Sequence, residues 1–304
     1  MRTLVVLPTY QEAENIEQML ESVRKVEPEM DVLVIDDGSP DGTADLAEAV
    51  ADELGQIDVV RRPGKLGLGS AYRLGFTRGL ESGYDAMVEM DSDLSHDPTA
   101  LPSFSEALAA GADLVIGSRY VPGGRIPGWP WERRLLSKAG NLYADRMLRL
   151  GLRDATAGYR MYRADALRQI DFETVRADGY GFQIEMAYRI LRSGGHVVEV
   201  PITFTDRLHG SSKMSLRIVL EAVRLVTLWG IRDRLRRLPN PDEIAGNGLQ
   251  HRDRAPEHSA DSDTPSEDTI RRPAPSVLRR EWKSGSSACC FQQGFQFHQP
   301  GFRA

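Results

Sequence analysis

Residues 3–23 read TLVVLPTYQEAENIEQMLESV. The run TLVVLP is continuously apolar and of strand length, as expected of a strand covered on both faces. Ile16, Met19, Leu20 and Val23 then recur at helical spacing, so a polar turn joins a buried strand to an amphipathic helix. The same unit continues outward. VLVID (32–36) precedes the helix ADLAEAVADEL, with Thr43 as its cap; IDVVRR (57–62) precedes a Gly-rich turn and the helix SAYRLGFTRGLESG. AMVEM (86–90) precedes a helix over about 99–110, and DLVIGS (113–118) is a fifth strand. Strands alternating with helices predict an α/β fold with a mostly parallel central sheet and helices on both faces.

The rest of the composition narrows the class. The 304 residues carry 38 Lys and Arg against 44 Asp and Glu, a balance of −6, which argues against a general nucleic-acid binder. Hydrophobic residues make up 41%, enough for a sizeable core. The two cysteines, Cys289 and Cys290, are adjacent, so they offer neither a disulfide framework nor a spaced metal site, and they fit a reducing cytosol. No stretch reaches the roughly 18 apolar residues of a membrane span, so a soluble or peripheral protein is expected. Beyond Leu238 the chain turns to Pro, Ser, Asp, Glu and Arg, a composition that cannot offset its ordering entropy. Residues 239–304 are therefore expected to be a disordered polar tail without chemistry, apart from the option of a short aromatic docking segment at the end.

In open α/β sheets ligands bind beyond the carboxyl ends of the strands, and here those ends are polar and mostly acidic. Asp91, Ser92 and Asp93 follow the fourth strand; two carboxylates one residue apart can share a hard divalent cation that bridges phosphates, and Ser95 can reach the same ion. All-oxygen donors favour magnesium or manganese over zinc; the bland alternative is a solvated turn capping the next helix. DDGSPDGT (36–43) places Asp36 and Asp37 where a carboxylate can accept hydrogen bonds from a base or ribose, or where the turn merely caps a helix. In PTYQE, Tyr10 can stack on a base while Glu12 opens a helix. GKLGLGSAYRLG lacks both the third glycine of a dinucleotide fingerprint and the G-K-[ST] ending of a P-loop, which counts against an NAD enzyme; Lys65 is a candidate phosphate contact. Arg119, Arg125, Arg133, Arg134, Arg207 and Lys213 flank loop-like sequence rather than a helical face, where arginines can bind anionic oxygens in bidentate fashion. His96, His196 and His209 show no ligand spacing and read as structural. The stretch 213–238 carries seven basic and two acidic residues, with Leu216, Leu220, Val223, Val226 and Ile231 near one stripe, so it reads as a core-packing helix or as a basic amphipathic helix on an anionic membrane.

These motifs resemble a known family. PTYQEAENI, VIDDGSPDGT, KLGLGSAYRLG, EMDSDLSHDP, ADLVIGSRYVPGG, DATAGYR (154–160), GFQIE (181–185), EVPITF and RLHGSSK (207–213) are similar to the polyprenol-phosphate (dolichol-phosphate) mannosyltransferases, inverting glycosyltransferases of family 2. The resemblance runs from about Thr3 to Lys213. It implies a GT-A fold, a catalytic domain over 1–214, a Mg2+ or Mn2+ cofactor, GDP-mannose as donor and a polyprenyl monophosphate as acceptor. It places Pro8, Tyr10, Glu12, Ile35 and Asp37 around the nucleoside, and Asp91, Ser92 and Asp93 around the diphosphate and metal, with Ser95 as third ligand. Arg119, Arg207 and Lys213 align with residues that hold phosphates or the sugar donor. Arg133 and Ser137 fall in a loop expected to receive the lipid phosphate together with Arg119. C-terminal membrane hairpins found in some relatives are missing, so the basic helix over 215–238, or a separate membrane-anchoring protein, would bring the enzyme to the cytoplasmic face of the membrane. Rival readings are a UDP-sugar-dependent glucosyl- or N-acetylhexosaminyltransferase and a catalytically silent sugar-nucleotide-binding protein.

Overall fold

The computed structural model describes residues 1–177, 179–206, 216–236 and 238–240, all within one compact unit, Met1–Ala255. Its elements are β1 (Thr3–Thr9), α1 (Ile16–Val26), β2 (Asp31–Asp36), α2 (Thr43–Leu54), β3 (Ile57–Arg61), α3 (Leu68–Glu81), β4 (Ala86–Glu89), α4 (Leu101–Ala109), β5 (Leu114–Ser118), α5 (Trp131–Leu148), β6 (Arg160–Arg163), α6 (Ala164–Gln169), α7 (Tyr180–Arg192), β7 (Val197–Pro201) and α8 (Leu216–Leu235). The five strands expected from the apolar runs all form.

The strands make one seven-stranded sheet in the order β3-β2-β1-β4-β6-β5-β7. β1 pairs in parallel with β2 and β4, and β5 with β7, whereas β6 runs antiparallel between β4 and β5. Successive side chains of each strand enter opposite faces. Leu4, Val6, Leu33, Ile35 and Met87 therefore join Tyr72, Phe76 and Phe182 in one core layer. Val5, Leu7, Val32, Val34 and Val88 join Ile16, Met19, Leu20 and Phe104 in the other. Helix α3 lies hard against β1: a Cβ on Gly75 would come within 2.5 Å of Val6 Cγ1, so only glycine permits that approach. The order reverses between β1 and β4, which opens a crevice at their carboxyl ends.

Three local expectations are corrected. Thr43 is the first residue of α2 rather than its cap, the cap being Gly42 at φ 87°; the Thr43 hydroxyl instead accepts the Glu12 backbone N–H at 3.0 Å. Arg133 and Ser137 sit on the 18-residue helix α5, not in a loop. The apolar stripe expected on α8 divides: Val226 is buried, while Leu220, Val223 and Ile231 are exposed. α8 packs instead through Ala222, Val226 and Asp233, because its neighbours are α5 and α7. From residue 241 on, the expected tail lies outside the described residues.

Candidate active site

The crevice is built where β1 and β4 end. Ser92 donates from Oγ to the Pro8 carbonyl at 3.1 Å, which ties the two strand ends together. On the β1–β2 side, Asp36 serves the turn: its carboxylate accepts from Thr9 Oγ1 (3.0 Å) and from Ser39 N (2.8 Å) and Oγ (2.5 Å). Asp37 is the one turned to the crevice wall. It is 7% exposed, pairs with Arg62 Nε at 2.8 Å and accepts the Leu66 N–H at 3.2 Å. Burial pushes its carboxyl up, against the pull of Arg62 and the backbone donors. Lys65, one residue before Leu66, sets its ammonium 4.2 Å from the Tyr10 ring centroid, a cation–π contact on the ring read as a base platform. Glu12 accepts from Asn15 Nδ2 at 2.9 Å. Ile35 is fully buried in the core, so its side chain meets core residues.

The Asp91–Ser95 turn is held from below and behind. The Asp91 N–H donates to His96 Nδ1 at 3.0 Å, which makes His96 a neutral ring protonated on Nε2. That ring is 2% exposed, stacks on Tyr159 at 4.9 Å and meets Phe204 edge-on at 5.5 Å. Tyr72 donates to Asp91 Oδ1 at 3.4 Å. Asp93 is buried, and its Oδ1 accepts from Ser95 N (3.1 Å) and Oγ (2.5 Å). Leu94 between them takes φ 61°, a costly conformation for a branched side chain that marks functional turns. The donors at hand are the carboxylates of Asp91 and Asp93 and the hydroxyl of Ser95, and among the described residues no group of three His, Cys, Asp or Glu could hold an ion. Such an oxygen-only, incomplete set suits a hard cation that keeps positions for phosphate and water. Beneath the turn, Glu89 is fully buried, and burial pushes its carboxyl up to about 8 although Arg160 opposes the rise.

The third wall is basic. Arg119, after β5, is 7% exposed and forks onto Asp154: Nε to Oδ2 at 2.7 Å and Nη2 to Oδ1 at 2.6 Å, while its backbone N–H reaches Oδ2 at 2.9 Å. Nη2 also donates to Thr156 Oγ1 at 2.9 Å. Asn141 of α5 donates to Thr156 Oγ1 (3.1 Å), to Asp154 Oδ1 (3.3 Å) and to the Ser137 carbonyl (3.1 Å). Arg133 lies 3.8 Å over the Trp129 ring, and Arg119 is 5.7 Å from the same centroid. The structure thus brings Arg119, Arg133 and Ser137 to one wall. Arg160, wholly buried, fixes the intervening loop by donating to the carbonyls of Ala155, Ala157 and Gln183, each at 2.7 Å.

Segment 203–206 stitches the acidic and basic walls together. Thr205 donates from N to the Ser95 carbonyl and from Oγ1 to the Leu94 carbonyl, both at 3.3 Å, and Asp206 pairs with Arg133 at 3.1 Å. Arg207 and Lys213 lie outside the described residues. Sequence reading assigned no role to Asp154, Arg62, Glu89 or Arg160, although Asp154 opens the DATAGYR motif and Arg62 ends the third apolar run.

A mostly parallel sheet thus carries an acidic DxD turn at its reversal point, with a buried arginine on the neighbouring wall, the arrangement of a glycosyltransferase. Residues 4–171 match glycosyl transferase family 2. The chain is 54% identical over 231 residues to an undecaprenyl-phosphate mannosyltransferase of Micrococcus luteus, covering 76% of this chain and 95% of that one. It is 50% identical over 238 residues to a polyprenol monophosphomannose synthase of Mycolicibacterium smegmatis, covering 78% and 89%. Glucosyl-3-phosphoglycerate synthase from Mycobacterium tuberculosis, solved with Mn2+, UDP and glucosyl-3-phosphoglycerate, shares the fold at TM-score 0.53 and 22% identity, covering 77% of this chain and 79% of that one. The chain belongs to glycosyl transferase family 2, in the group of the polyprenol-phosphate mannosyltransferases, and is an enzyme of that family.

Proposed function

We propose that the protein transfers mannose, with inversion, from GDP-mannose to a polyprenyl monophosphate, giving a lipid-linked mannose. The observation that carries this reading is the stitch at 204–206: one short segment holds the Leu94–Ser95 turn through Thr205 and Arg133 through Asp206. A donor on the acidic turn and an anionic acceptor at the arginines would then face each other across a fixed frame. The names of the two relatives support both the sugar and the lipid class.

In this reading Tyr10, Glu12 and Asp37, with the Pro8 and Ile35 strand ends, border the nucleoside. Asp91, Asp93 and Ser95 would hold Mg2+ or Mn2+, which when bound supplies Lewis-acid neutralisation of the diphosphate leaving group. Ser92 fixes the turn to β1, and His96 fixes its backbone. Arg119 and Arg133 orient the acceptor phosphate, with Ser137 beside them, and Arg207 and Lys213 add positive charge toward the donor. One bond forms between a phosphate oxygen and the anomeric carbon as the bond to GDP breaks, through a transition state of oxocarbenium character. A phosphate monoester with second pKa near 6 is already largely dianionic at pH 7, so placement of that dianion matters more than a general base.

The lipid enters from a membrane surface. No helix among the described residues is long and apolar enough to cross a membrane, but Trp131, Leu135, Leu136 and Leu142 on α5 and Leu220, Val223, Leu228 and Ile231 on α8 are exposed. The two helices run side by side in the same direction, joined by Tyr143 Oη and Thr227 Oγ1 at 2.6 Å. Apolar side chains flanked by Arg224, Arg232 and Arg234 suit the interface of an anionic leaflet. We assign catalysis to residues 1–214, docking at the cytoplasmic face to 215–238, with or without a membrane-anchoring partner, and no chemistry to 239–304.

The test incubates the protein with Mg2+ or Mn2+, a short polyprenyl phosphate, and GDP-mannose or UDP-glucose in parallel, following sugar into the organic phase. Metal-dependent transfer from GDP-mannose alone is expected. Transfer from UDP-glucose alone overturns the donor, and GDP binding without transfer from either donor makes the protein a silent binder.

A further inference from the structure

A cavity of about 540 Å3 opens beside Arg119, with Tyr120, Arg125, Ile126, Arg134 and Lys138 in its wall. Its construction is specific. The Arg125 backbone is held on both sides by segment 202–204, its N–H donating to the Ile202 carbonyl and its carbonyl accepting from Phe204 N, both at 2.9 Å. Arg134 and Lys138 are one turn apart on α5 and so share a face; Arg134 is braced by the Ile126 carbonyl. Lys138 Nζ and Arg119 Cζ stand 5.6 and 5.5 Å from the Tyr120 ring centroid. The Tyr120 hydroxyl is buried and has no hydrogen-bond partner among the described residues.

Four cationic side chains converge on this cavity, and among the described residues no carboxylate lines it. Asp154 neutralises Arg119 alone. A cluster of like charges around a buried hydroxyl in need of a partner calls for an oxyanion, since guanidinium and ammonium groups bind phosphate oxygens through charge-assisted hydrogen bonds. The remaining wall, Ile126 and Pro127, is apolar, which suits the first carbons of a chain attached to that anion. We infer that this cavity receives a lipid-borne phosphate monoester, with Arg125, Arg134 and Lys138 as positioning residues for its oxygens and the Tyr120 hydroxyl as a further donor. The inference rests on the proposed acceptor class. It adds to the Arg119–Arg133–Ser137 wall a second set of contacts that selects a charged head joined to an apolar stem.

The experiment titrates the full chain calorimetrically with farnesyl phosphate, with inorganic phosphate and with phosphatidylglycerol vesicles, and with GDP as control. In Arg125→Gln/Lys138→Gln the affinity for farnesyl phosphate should fall about 100-fold or more, as loss of two charge-assisted contacts implies, with GDP affinity unchanged and the acceptor KM raised more than kcat falls. Tyr120→Phe, which keeps the ring, should give a smaller loss in the same direction if the double variant fails to bind GDP. Unchanged farnesyl phosphate affinity in variants that bind GDP overturns the site. Loss confined to the vesicle arm overturns it in favour of a bilayer headgroup, and inorganic phosphate binding as tightly as farnesyl phosphate overturns the role of the apolar wall. If the wild type binds farnesyl phosphate through these residues yet passes no mannose to it, the proposed reaction falls and the site stands. If transfer proceeds and the variants bind normally, the site falls and the reaction stands.

Discussion

Replacing Asp154 with Asn keeps the shape of the side chain and removes the charge that faces Arg119. The two side chains are 0% and 6% exposed, so water cannot take over the solvation of the guanidinium. Asp154 accepts three Arg119 N–H groups, at 2.9, 2.7 and 2.6 Å. An Asn keeps one acceptor oxygen and turns an NH2 toward the Nη2 donor. Charge-assisted bonds are worth roughly 1.5–3 kcal/mol each, and breaking one side of a buried pair costs about 3–5 kcal/mol. Asp154→Asn should therefore lose about 3–5 kcal/mol in urea unfolding, a large share of the 5–15 kcal/mol typical of a folded domain. Arg119→Met/Asp154→Asn should recover about 2 kcal/mol or more of that loss, because no uncompensated charge stays buried and the Asn oxygen still takes the backbone N–H. Transfer should be lost in both variants, since the fork that holds Arg119 in place, or Arg119 itself, is gone. A loss below about 1 kcal/mol in Asp154→Asn at an unchanged denaturant slope, or transfer by the double variant, refutes the reasoning.

Asp93→Ala should abolish metal-dependent transfer while circular dichroism shows an intact fold; near-normal turnover by the folded variant would remove the metal assignment. Glu89, held protonated up to about 8 from an ordinary 4.5 by burial, binds more protons folded than unfolded between those values, so stability falls as pH rises from about 4.5 to 8. Glu89→Gln should flatten that slope, by a few kcal/mol at order of magnitude, in urea titrations at pH 5 and 8; an unchanged slope would point to another group. A Cβ at Gly230 would stand 2.7 Å from the Met147 carbonyl, so Gly230→Ala should lower the melting temperature, the clash of about 1–3 kcal/mol outweighing a helix-propensity gain of about 1 kcal/mol. Leu136→Glu/Leu220→Glu changes side chains that are 60% and 59% exposed and should leave stability and GDP affinity intact while abolishing flotation with anionic vesicles; retained flotation would place membrane contact elsewhere.

Strands β1, β2, β4 and β5 were readable because each is buried along nearly its whole length, and burial on both faces forces a continuous apolar run; the edge strand β3, half-exposed, was readable from the short apolar stretch IDVV between turn signals. The Asp91–Asp93 turn was readable for a related reason: carboxylates directly after such a run have no packing role to explain them. α5 hid because its polarity is inverted. Its buried positions are Asn141, Ala144 and Leu148, while its large apolar residues Trp131, Leu135, Leu136 and Leu142 face outward, so the usual rule that the apolar stripe marks the core points the wrong way. β6 hid because RMYR begins with Arg160, whose burial is made possible by three backbone carbonyls rather than by any apolar neighbour in sequence. Asp154 hid for the same physical reason at longer range: its partners are a backbone N–H and a guanidinium 35 residues away. Asp154 and Arg160 share one property, a buried polar group satisfied by hydrogen bonds and not by apolar packing, and a hydropathy pattern carries no record of such partners. Their placement follows from the requirement that buried donors and acceptors be paired, and at this site that requirement fixes Arg119 where an acceptor phosphate would need it.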